Sequence, residues 1–567
     1  STIPSGEALA SLPEGPGTAQ VRLRAYRRPS DRRCRSEERR SAALSRSWCA
    51  GLAGQRTCAV ASKPSRTISR PCQSRPLQHS FNLTPYVNID SSVKGLALKE
   101  ISELRFNAIA GYARHPRAVL TGEELAYYEA EDGSILGLLI RDRTDGDFAG
   151  MAFGRDAKLR FRWTSMTNFL ESPELAHDAL AELMTNLLDE PDEFHHQGDE
   201  RGEPVNFFTP MHPLDVLHPD FQQVASEIGF FPARGIIEPM MRWHEDLDGN
   251  FVEQFQSTAF DQRIWELYLF ATLIELGFSL DVTHAVPDFI GTSLFGPIAV
   301  EAVTVGPTRR GAEIVPPPPV ETQEQMEAYL WDYMPIKFGS PLFSKLRKKY
   351  WEKEQIAGVP LVFAIADFSS PGSMIHTRSA LERYLYGYSF DAARDEQGRA
   401  VAQPIKIIEH RWGDKVIPSG FFDIPDSEHV SAVISTTAGT ISKFNRMGIL
   451  AGFDAGNVLM TRTGTVVDPD PVARDPLLFK AIVNAKGYHE SWVEGLNVYH
   501  NPRAIIPLEE HLVPGAAHHH CDAEGNWTTT APRFHPLASS TEILGGVNVA
   551  KALANFEGSA IRFWKKP

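Results

Sequence analysis

Three acidic residues in the middle of the chain each interrupt a run of apolar residues. Glu266 lies in FDQRIWELYLFATLIELGF, Glu301 lies in IAVEAVTV, and Asp288 follows Pro287 in VPDFIG. An ionised carboxylate among apolar side chains is costly unless a cation, hydrogen-bond donors or a metal ion compensates it. The stretch 260–305 therefore constrains the fold more than any other, because each of its acids needs a partner in the interior.

The residues around these acids predict a helix and two neighbouring strands. Between Ile264 and Ile274 the only charge is Glu266, which indicates a helix buried on most of its surface. Glu301 has apolar neighbours on both sides, as in a central strand that is covered on both faces. Pro287 cannot donate to a sheet ladder and predicts a strand start or edge. We expect Asp288 and Glu301 to lie on neighbouring strands, close enough to share one ion.

Two carboxylates and a backbone carbonyl form a hard oxygen site of the kind that suits Mg²⁺. A Mg²⁺ or Mn²⁺ ion held there can activate a water molecule and neutralise the charge that develops in phosphodiester hydrolysis. The three acids therefore predict a hard-cation site whose chemistry suits the hydrolysis of a phosphodiester.

The order of these elements resembles the core of the PD-(D/E)xK nucleases, the superfamily of restriction enzymes and DNA-repair nucleases. The similar region is roughly 260–368, about a fifth of the chain. The resemblance implies a restriction-endonuclease-like αβββαβ core in which Asp288 and Glu301 bind the metal ion and the carbonyl of Ala302 assists. Glu266 would be the helix acid and bind the ion directly or through water. The implied partner is nucleic acid, with DNA favoured over RNA.

The lysine of the motif is where this chain departs from the superfamily. Its usual position is two residues after the second acid, where this chain has Val303, and a valine cannot stabilise charge in a transition state. Some members supply the lysine from the following helix. The segment SPLFSKLRKKYWEKEQ offers Lys345 and Lys349 beside an apolar stripe at helical spacing. The sequence does not choose between the two lysines. The alternative is that this charged run is simply a solvated helix face.

An alternative function is a catalytically inactive nuclease fold that serves as a binding or scaffold protein. Glu266 and Glu301 would then pair with buried cations or backbone donors, for example with Arg263 or His284. The charge balance favours this alternative, because nucleic-acid binders normally have a basic surface. The formal net charge is −14, and residues 1–80 contribute +10 of it, so residues 81–567 carry −24.

The length of 567 residues predicts about three domains. Residues 1–80 predict a disordered tail, rich in Arg and Ser, whose cysteines Cys34, Cys49, Cys58 and Cys72 form no CxxC pair. Its composition is also typical of a transit peptide, and a non-functional extension is the alternative. Alternating segments between 127 and 163 and a helix at 173–188 predict an α+β domain at 81–248. The nuclease-like core at 249–420 and a mixed α/β extension at 421–567 follow, which makes the class α/β and α+β.

Two further expectations concern the setting of the protein. No window approaches 18 uninterrupted apolar residues, which predicts no membrane span. Cys521 is the only cysteine after the tail, and this predicts a reduced, cytoplasmic setting. The sequence leaves the oligomeric state open.

Several polar clusters have more than one interpretation. The side chains of His518, His519, His520 and Cys521 suit zinc or another transition metal, which would make a metal-dependent hydrolase, but adjacent residues cannot all face one ion and a flexible loop is the alternative. HNPRA at 500–504 is ambiguous between a turn and a substrate contact.

Several basic residues and one histidine pair can be either functional or ordinary surface residues. Basic residues that can contact a phosphate, or lie on an ordinary surface, are Arg309, Arg310, Lys443 and Arg446. The pair His195 and His196 is expected to face solvent.

Overall fold

The computed structural model describes residues 98–565, except 132, 190–194, 245–248, 312, 395–399, 455, 471–472, 474, 555 and 557. The tail expected at 1–80, with its four cysteines, lies outside the described residues. No helix in the described part of the chain has the length and apolar content that a bilayer crossing requires.

The described chain contains 23 strands and 12 α-helices, together with short 3₁₀ segments and one π-helical turn at Tyr329–Tyr333. The strands are β1 (Lys99–Ile101), β2 (Gly122–Glu129), β3 (Ile135–Asp142), β4 (Phe148–Arg155), β5 (Phe161–Met166), β6 (Ser279–Leu280), β7 (Phe289–Ser293), β8 (Gly296–Val305), β9 (Thr308–Arg310), β10 (Glu313–Val315), β11 (Leu361–Asp367), β12 (Tyr388–Arg394), β13 (Ala400–Lys406), β14 (Glu409–Trp412), β15 (Lys415–Pro418), β16 (Ala432–Thr436), β17 (Val458–Val466), β18 (Leu477–Ile482), β19 (Leu496–His500), β20 (Ala517–Cys521), β21 (Trp527–Thr530), β22 (Pro536–Gly545) and β23 (Ile561–Trp564). The helices are α1 (Glu103–Ala110), α2 (Ala118–Thr121), α3 (Pro173–Leu188), α4 (Pro219–Ser226), α5 (Phe231–Trp243), α6 (Phe251–Gln256), α7 (Phe260–Glu275), α8 (Gln323–Ala328), α9 (Met334–Leu346), α10 (Arg378–Tyr386), α11 (Ile441–Leu450) and α12 (Val549–Leu553).

Strands β1 to β5 form an antiparallel sheet in sequence order, as the alternation between 127 and 163 predicts. Helix α1 packs on one face through Phe106, which lies in a cluster with Leu138 and Met151. Helix α3, predicted at 173–188, covers the other face with Leu180 and Met184. Both faces of this sheet are therefore buried.

The centre of the molecule is an eight-stranded mixed sheet in the order β21-β20-β19-β16-β11-β8-β7-β6. Strands β6, β7 and β8 form an antiparallel meander, and β11 then pairs with β8 in parallel over seven residues. The connection from β8 to β11 contains α9. The chain from α7 to β11 thus runs helix, three strands, helix, strand, the latter two after an inserted hairpin of β9 and β10.

Helix α7 packs on one face of the sheet and α9 on the other. In α7, 11 of 16 residues are buried, which confirms the helix predicted from its continuous apolar run. Trp265 donates a hydrogen bond from Nε1 to the carbonyl of Ala364 in β11 at 2.9 Å. On the opposite face Leu342 and Leu346 of α9 pack against the sheet. The structure is mixed α/β, in agreement with the expected class at that level.

The C-terminal region adds an antiparallel sheet in the order β22-β17-β18-β23 and the helix α11. The sequence interpretation of α11 needs a correction, because Lys443 and Arg446 are 0% and 2% exposed rather than on the surface. Arg446 donates two hydrogen bonds of 2.8 Å to Glu490, and Lys443 Nζ lies 2.7 Å from the same carboxylate. These cations are enclosed with an acid 44 or more residues away in sequence, so they are unable to reach a phosphate backbone.

Helices α5 and α11 approach each other closely at Gly448, and this contact predicts a stability effect. A Cβ atom added at Gly448 would lie 2.1 Å from the carbonyl oxygen of Pro232, a backbone atom that cannot move aside without shifting α5. We expect Gly448→Ala to lower the free energy of unfolding by at least ~2 kcal/mol, as overpacking does. Urea unfolding followed by circular dichroism measures the difference.

The matched control is Gly306→Ala, because an added Cβ there meets nothing within 4 Å. We expect this variant to unfold within about 0.5 kcal/mol of the wild type. Equal stability of the two variants would contradict the close packing of α5 on α11.

Candidate functional site

Asp288 and Glu301 are brought together where the ladder between β7 and β8 begins. The first paired residues are Phe289 and Val300, so Asp288 stands beside Glu301 just beyond the ladder. Oδ2 of Asp288 accepts a hydrogen bond of 2.7 Å from the backbone N–H of Ala302. The strand start indicated by Pro287 is thus observed, and it places one carboxylate against the neighbouring strand.

The carbonyl of Ala302 points toward the same gap. In an antiparallel ladder the N–H and C=O of one residue face the same neighbouring strand. Because the N–H of Ala302 is bonded to Asp288, its carbonyl is directed to the side of β8 where β7 has not yet begun. The amide and the carbonyl of Ala302 therefore face the side of β8 on which Asp288 lies, and of these residues Asp288 is the one that lines the adjoining cleft.

Glu301 is 3% exposed and has two partners on the α9 side of the sheet. Its Oε1 atom contacts Nζ of Lys345 and accepts a hydrogen bond of 2.6 Å from the hydroxyl of Tyr350. Val303, on the same face, packs with Leu342 of α9. Helix α9 therefore places the ammonium group of Lys345 against Glu301, while Val303 is part of the apolar core.

Lys349 does not reach the acids. Helix α9 ends at Leu346, and Lys349 adopts a left-handed backbone conformation with φ of 49°. Its Nζ lies 3.7 Å from Glu352 and 3.7 Å from Asp426. Of the two lysines left open by the sequence, only Lys345 contacts Glu301.

Glu266 projects from α7 and is held by its own helix. Its Oε2 contacts Arg263, and its Oε1 accepts a hydrogen bond of 3.0 Å from Gln262. Burial raises the pKa of Glu266 above its ordinary value, while Arg263 and Gln262 oppose the shift. The spacing of three residues between Arg263 and Glu266 puts both on one helix face, a signal that the sequence already contains.

The three acids influence one another through their charges. Removal from water raises the pKa of Asp288, the negative charges of Glu301 and Glu266 raise it further, and Lys345 and the Ala302 N–H lower it, with a result of about 7. Contrary to the expectation that each of the three acids is interior, the side chain of Asp288 is exposed, and it lines a cleft together with Glu266. The site therefore favours either a proton or a cation at Asp288.

The cleft has an empty volume of about 720 Å³, including the part open to solvent. Its lining includes Asp288, Glu266 and Arg263 together with the aromatic residue Phe251. His284 also lines it but is paired with Asp281 at 2.8 Å rather than with the acids. The guanidinium of Arg263 lies 4.9 Å from the ring of Phe251, which fixes its direction.

The sequence did not predict the hydrogen bonds that two residues, Tyr350 and Gln254, make in the site. Tyr350 fits the apolar stripe, and only its hydroxyl, which no periodicity reveals, reaches Glu301. Gln254 lies in α6 and binds Nε of Arg263 at 3.1 Å, a contact between separate helices. Arg309 and Arg310, which follow β8, lie exposed in the hairpin of β9 and β10.

No family model, curated protein or solved structure matches this chain.

The shifted acid at position 288 predicts a pH dependence of stability in the metal-free protein. The pKa of Asp288 is about 7 when folded and about 3.9 when unfolded, so between these values the folded chain holds the extra proton. Wild-type stability should fall as pH rises through this window, and the loss is complete above pH 7. We expect Asp288→Asn to be more stable than the wild type above about pH 7 and equal below about pH 4. Thermal unfolding with a chelator measures both proteins across this range.

Asp281, in the same cleft, is a control of opposite sign. Burial alone would raise the pKa of Asp281, but hydrogen bonds from Thr283 and His284 lower it below its ordinary value. Its stabilisation is present at neutral pH and is lost as pH falls, so Asp281→Asn should destabilise at pH 7. Parallel pH curves for the wild type and Asp288→Asn would contradict the assigned electrostatics.

Proposed function

We propose that this protein is a metal-dependent nuclease that hydrolyses a nucleic-acid phosphodiester, with a core of the PD-(D/E)xK kind. The observation that carries the proposal is the contact of Lys345 with Glu301 beside Asp288. It supports a site in which the crossover helix supplies the cation that Val303 cannot. The order helix, three strands, helix, strand is consistent with the same core.

The oxygen donors fit a hard divalent cation. Among the described residues, Oδ1 of Asp288 and Oε2 of Glu301 accept no hydrogen bond, and the Ala302 carbonyl faces the β7 side of β8, where Asp288 lies. Carboxylate and carbonyl oxygens are the ligands that Mg²⁺ and Mn²⁺ prefer. Both oxygens of Glu266 are engaged, so Glu266 would act on the ion through a water molecule. When bound, the cation supplies activation of water and neutralisation of phosphate charge.

The surrounding side chains support roles for themselves in this reaction. Lys345 places positive charge where negative charge on a phosphate would develop. Above pH 7 Asp288 is ionised, which is the form that ligates a cation. Arg309, Arg310 and Arg347 are exposed beyond β8 and α9 and offer local positive charge to a backbone within an acidic protein.

A second candidate is a binding or scaffold protein that retains the fold without the chemistry. Each buried glutamate already has a cation, Arg263 for Glu266 and Lys345 for Glu301. Such pairs stabilise a buried acid in proteins that have no reaction to catalyse. The two candidates differ in whether Asp288, whose one hydrogen-bond partner among the described residues is the Ala302 amide, binds a metal ion.

A cleavage assay tests the nuclease proposal. We expect the wild type to cleave DNA or RNA with Mg²⁺ or Mn²⁺ and to be inactive in a chelator. Asp288→Ala removes a ligand and should reduce the rate by about 100-fold or more, and Lys345→Met should do so by about 100-fold. Rates on single- and double-stranded substrates are compared by gel electrophoresis.

Lys349→Met is the matched control, since it removes the same charge three residues beyond the helix end and outside the site. Its rate should equal that of the wild type. Cleavage that persists in Asp288→Ala would refute the site assignment. Absence of cleavage on every substrate, with the protein folded, would favour the scaffold.

A further inference from the structure

A cluster of histidines lies on the central sheet, away from the carboxylate site. Residues 517–521 form β20 rather than a flexible loop, and β20 runs parallel to β19 with Val498 beside His518. Side chains alternate along a strand, so His518 and His520 face one side and His519 faces the other. The continuing register puts His500, at the end of β19, beside His520. Adjacent histidines cannot all bind one ion, and in this strand His519 is the one that points away from the cluster.

Glu510 completes the cluster from the loop between the two strands. One ligand atom from each of His500, Glu510 and His518 lies within 4.8 Å of the others. The histidines are 7% and 4% exposed, whereas the side chain of Glu510 is 46% exposed. Three ligands with one open side are an arrangement that metal ions occupy in proteins.

The two buried rings face each other across the cluster. Nε2 of His518 lies 3.1 Å from the carbonyl of Val513, which accepts a hydrogen bond from a neutral ring. Nε2 of His500 and Nδ1 of His518 are 2.9 Å apart, a spacing at which the two nitrogens share a hydrogen bond or bind one ion.

The separation of the nitrogens suits a metal ion. An ion about 2.1 Å from each nitrogen closes an angle of roughly 90° at the observed spacing, as in octahedral coordination. An opening of ~0.5 Å gives the tetrahedral angle. His520 stacks on His500 at 4.2 Å, and its Nε2 lies 2.8 Å from Oε1 of Glu510. His520 thereby orients the carboxylate and leaves Oε2 for the ion.

We propose that His500, His518 and Glu510 form a second metal site, which takes a divalent transition-metal ion such as Zn²⁺, Co²⁺ or Fe²⁺ rather than Mg²⁺. Imidazole ligands suit these borderline ions, while Mg²⁺ requires oxygen. His500 is aligned through Ala432 and Val362 with Val300, so it points to the face of the sheet opposite Glu301. Three strand spacings, about 14 Å, separate β19, which carries His500, from β8, which carries Glu301. The second site shares no ligand with the first and does not depend on the nuclease proposal.

Titration with Co²⁺, followed by its visible absorption, tests the second site on the full chain. We expect one equivalent to bind at the histidine cluster in the wild type and in Asp288→Asn alike. Glu510→Gln changes only a surface side chain and should weaken Co²⁺ binding at least ~10-fold, and His518→Gln at least ~100-fold. His520→Gln, which loses the positioning contact, should weaken it by about 10–100-fold.

Glu509→Gln is the matched control, because it removes an adjacent exposed carboxylate outside the cluster. It should bind Co²⁺ as the wild type does. Zn²⁺ should raise the thermal midpoint of the wild type and of Glu509→Gln but not of Glu510→Gln, a readout that requires no activity. Wild-type affinity in Glu510→Gln, or Co²⁺ binding that disappears in Asp288→Asn, would overturn the proposal.

Discussion

The parallel pairing of β8 with β11 is the constraint on which the rest of the core depends. Adjacent parallel strands require a crossover connection, and here α9 in that connection returns over the face that carries Glu301. Because the sheet is covered by α9 on this face and by α7 on the other, Lys345 and Glu266 approach the start of β7 from opposite sides. The site thus lies where the two helical layers meet a strand that has only just begun.

The acids Glu490 and Asp288 lie in two different electrostatic environments. Glu490 is enclosed by Lys443, Arg446 and Arg462, a closed network with 0% exposure of the acid side chain. Leaving one member of such a network unpaired would cost several kcal/mol, so its function is structural. Asp288 differs, because among the described residues its direct partner is only the Ala302 amide and its side chain opens onto a cleft. Pairing by itself is therefore no sign of chemistry.

The sequence was informative where a signal is local. The helix α7, the strands β8 and β11, and the interior placement of Glu266 and Glu301 follow from apolar runs that each contain their own evidence. The choice of Lys345 depends instead on where α9 ends, and the burial of Lys443 depends on an acid in a later segment. The histidine cluster joins two strands and a loop, so strand alternation alone could have excluded His519 but could not have added Glu510.

The position of Glu301 within β8 makes the site a test of correct assembly. Side chains alternate between faces, so a slip of one residue in the pairing of β8 would carry Glu301 into the α7 layer and present Val300 to α9. Such a chain would keep its composition and most of its helices. Glu301, however, would be buried without Lys345, and Asp288 would lie beside Val300 instead of Glu301. Folding errors here would produce proteins that are unstable and hence prone to degradation, because both the buried acid and its lysine would lose their partner.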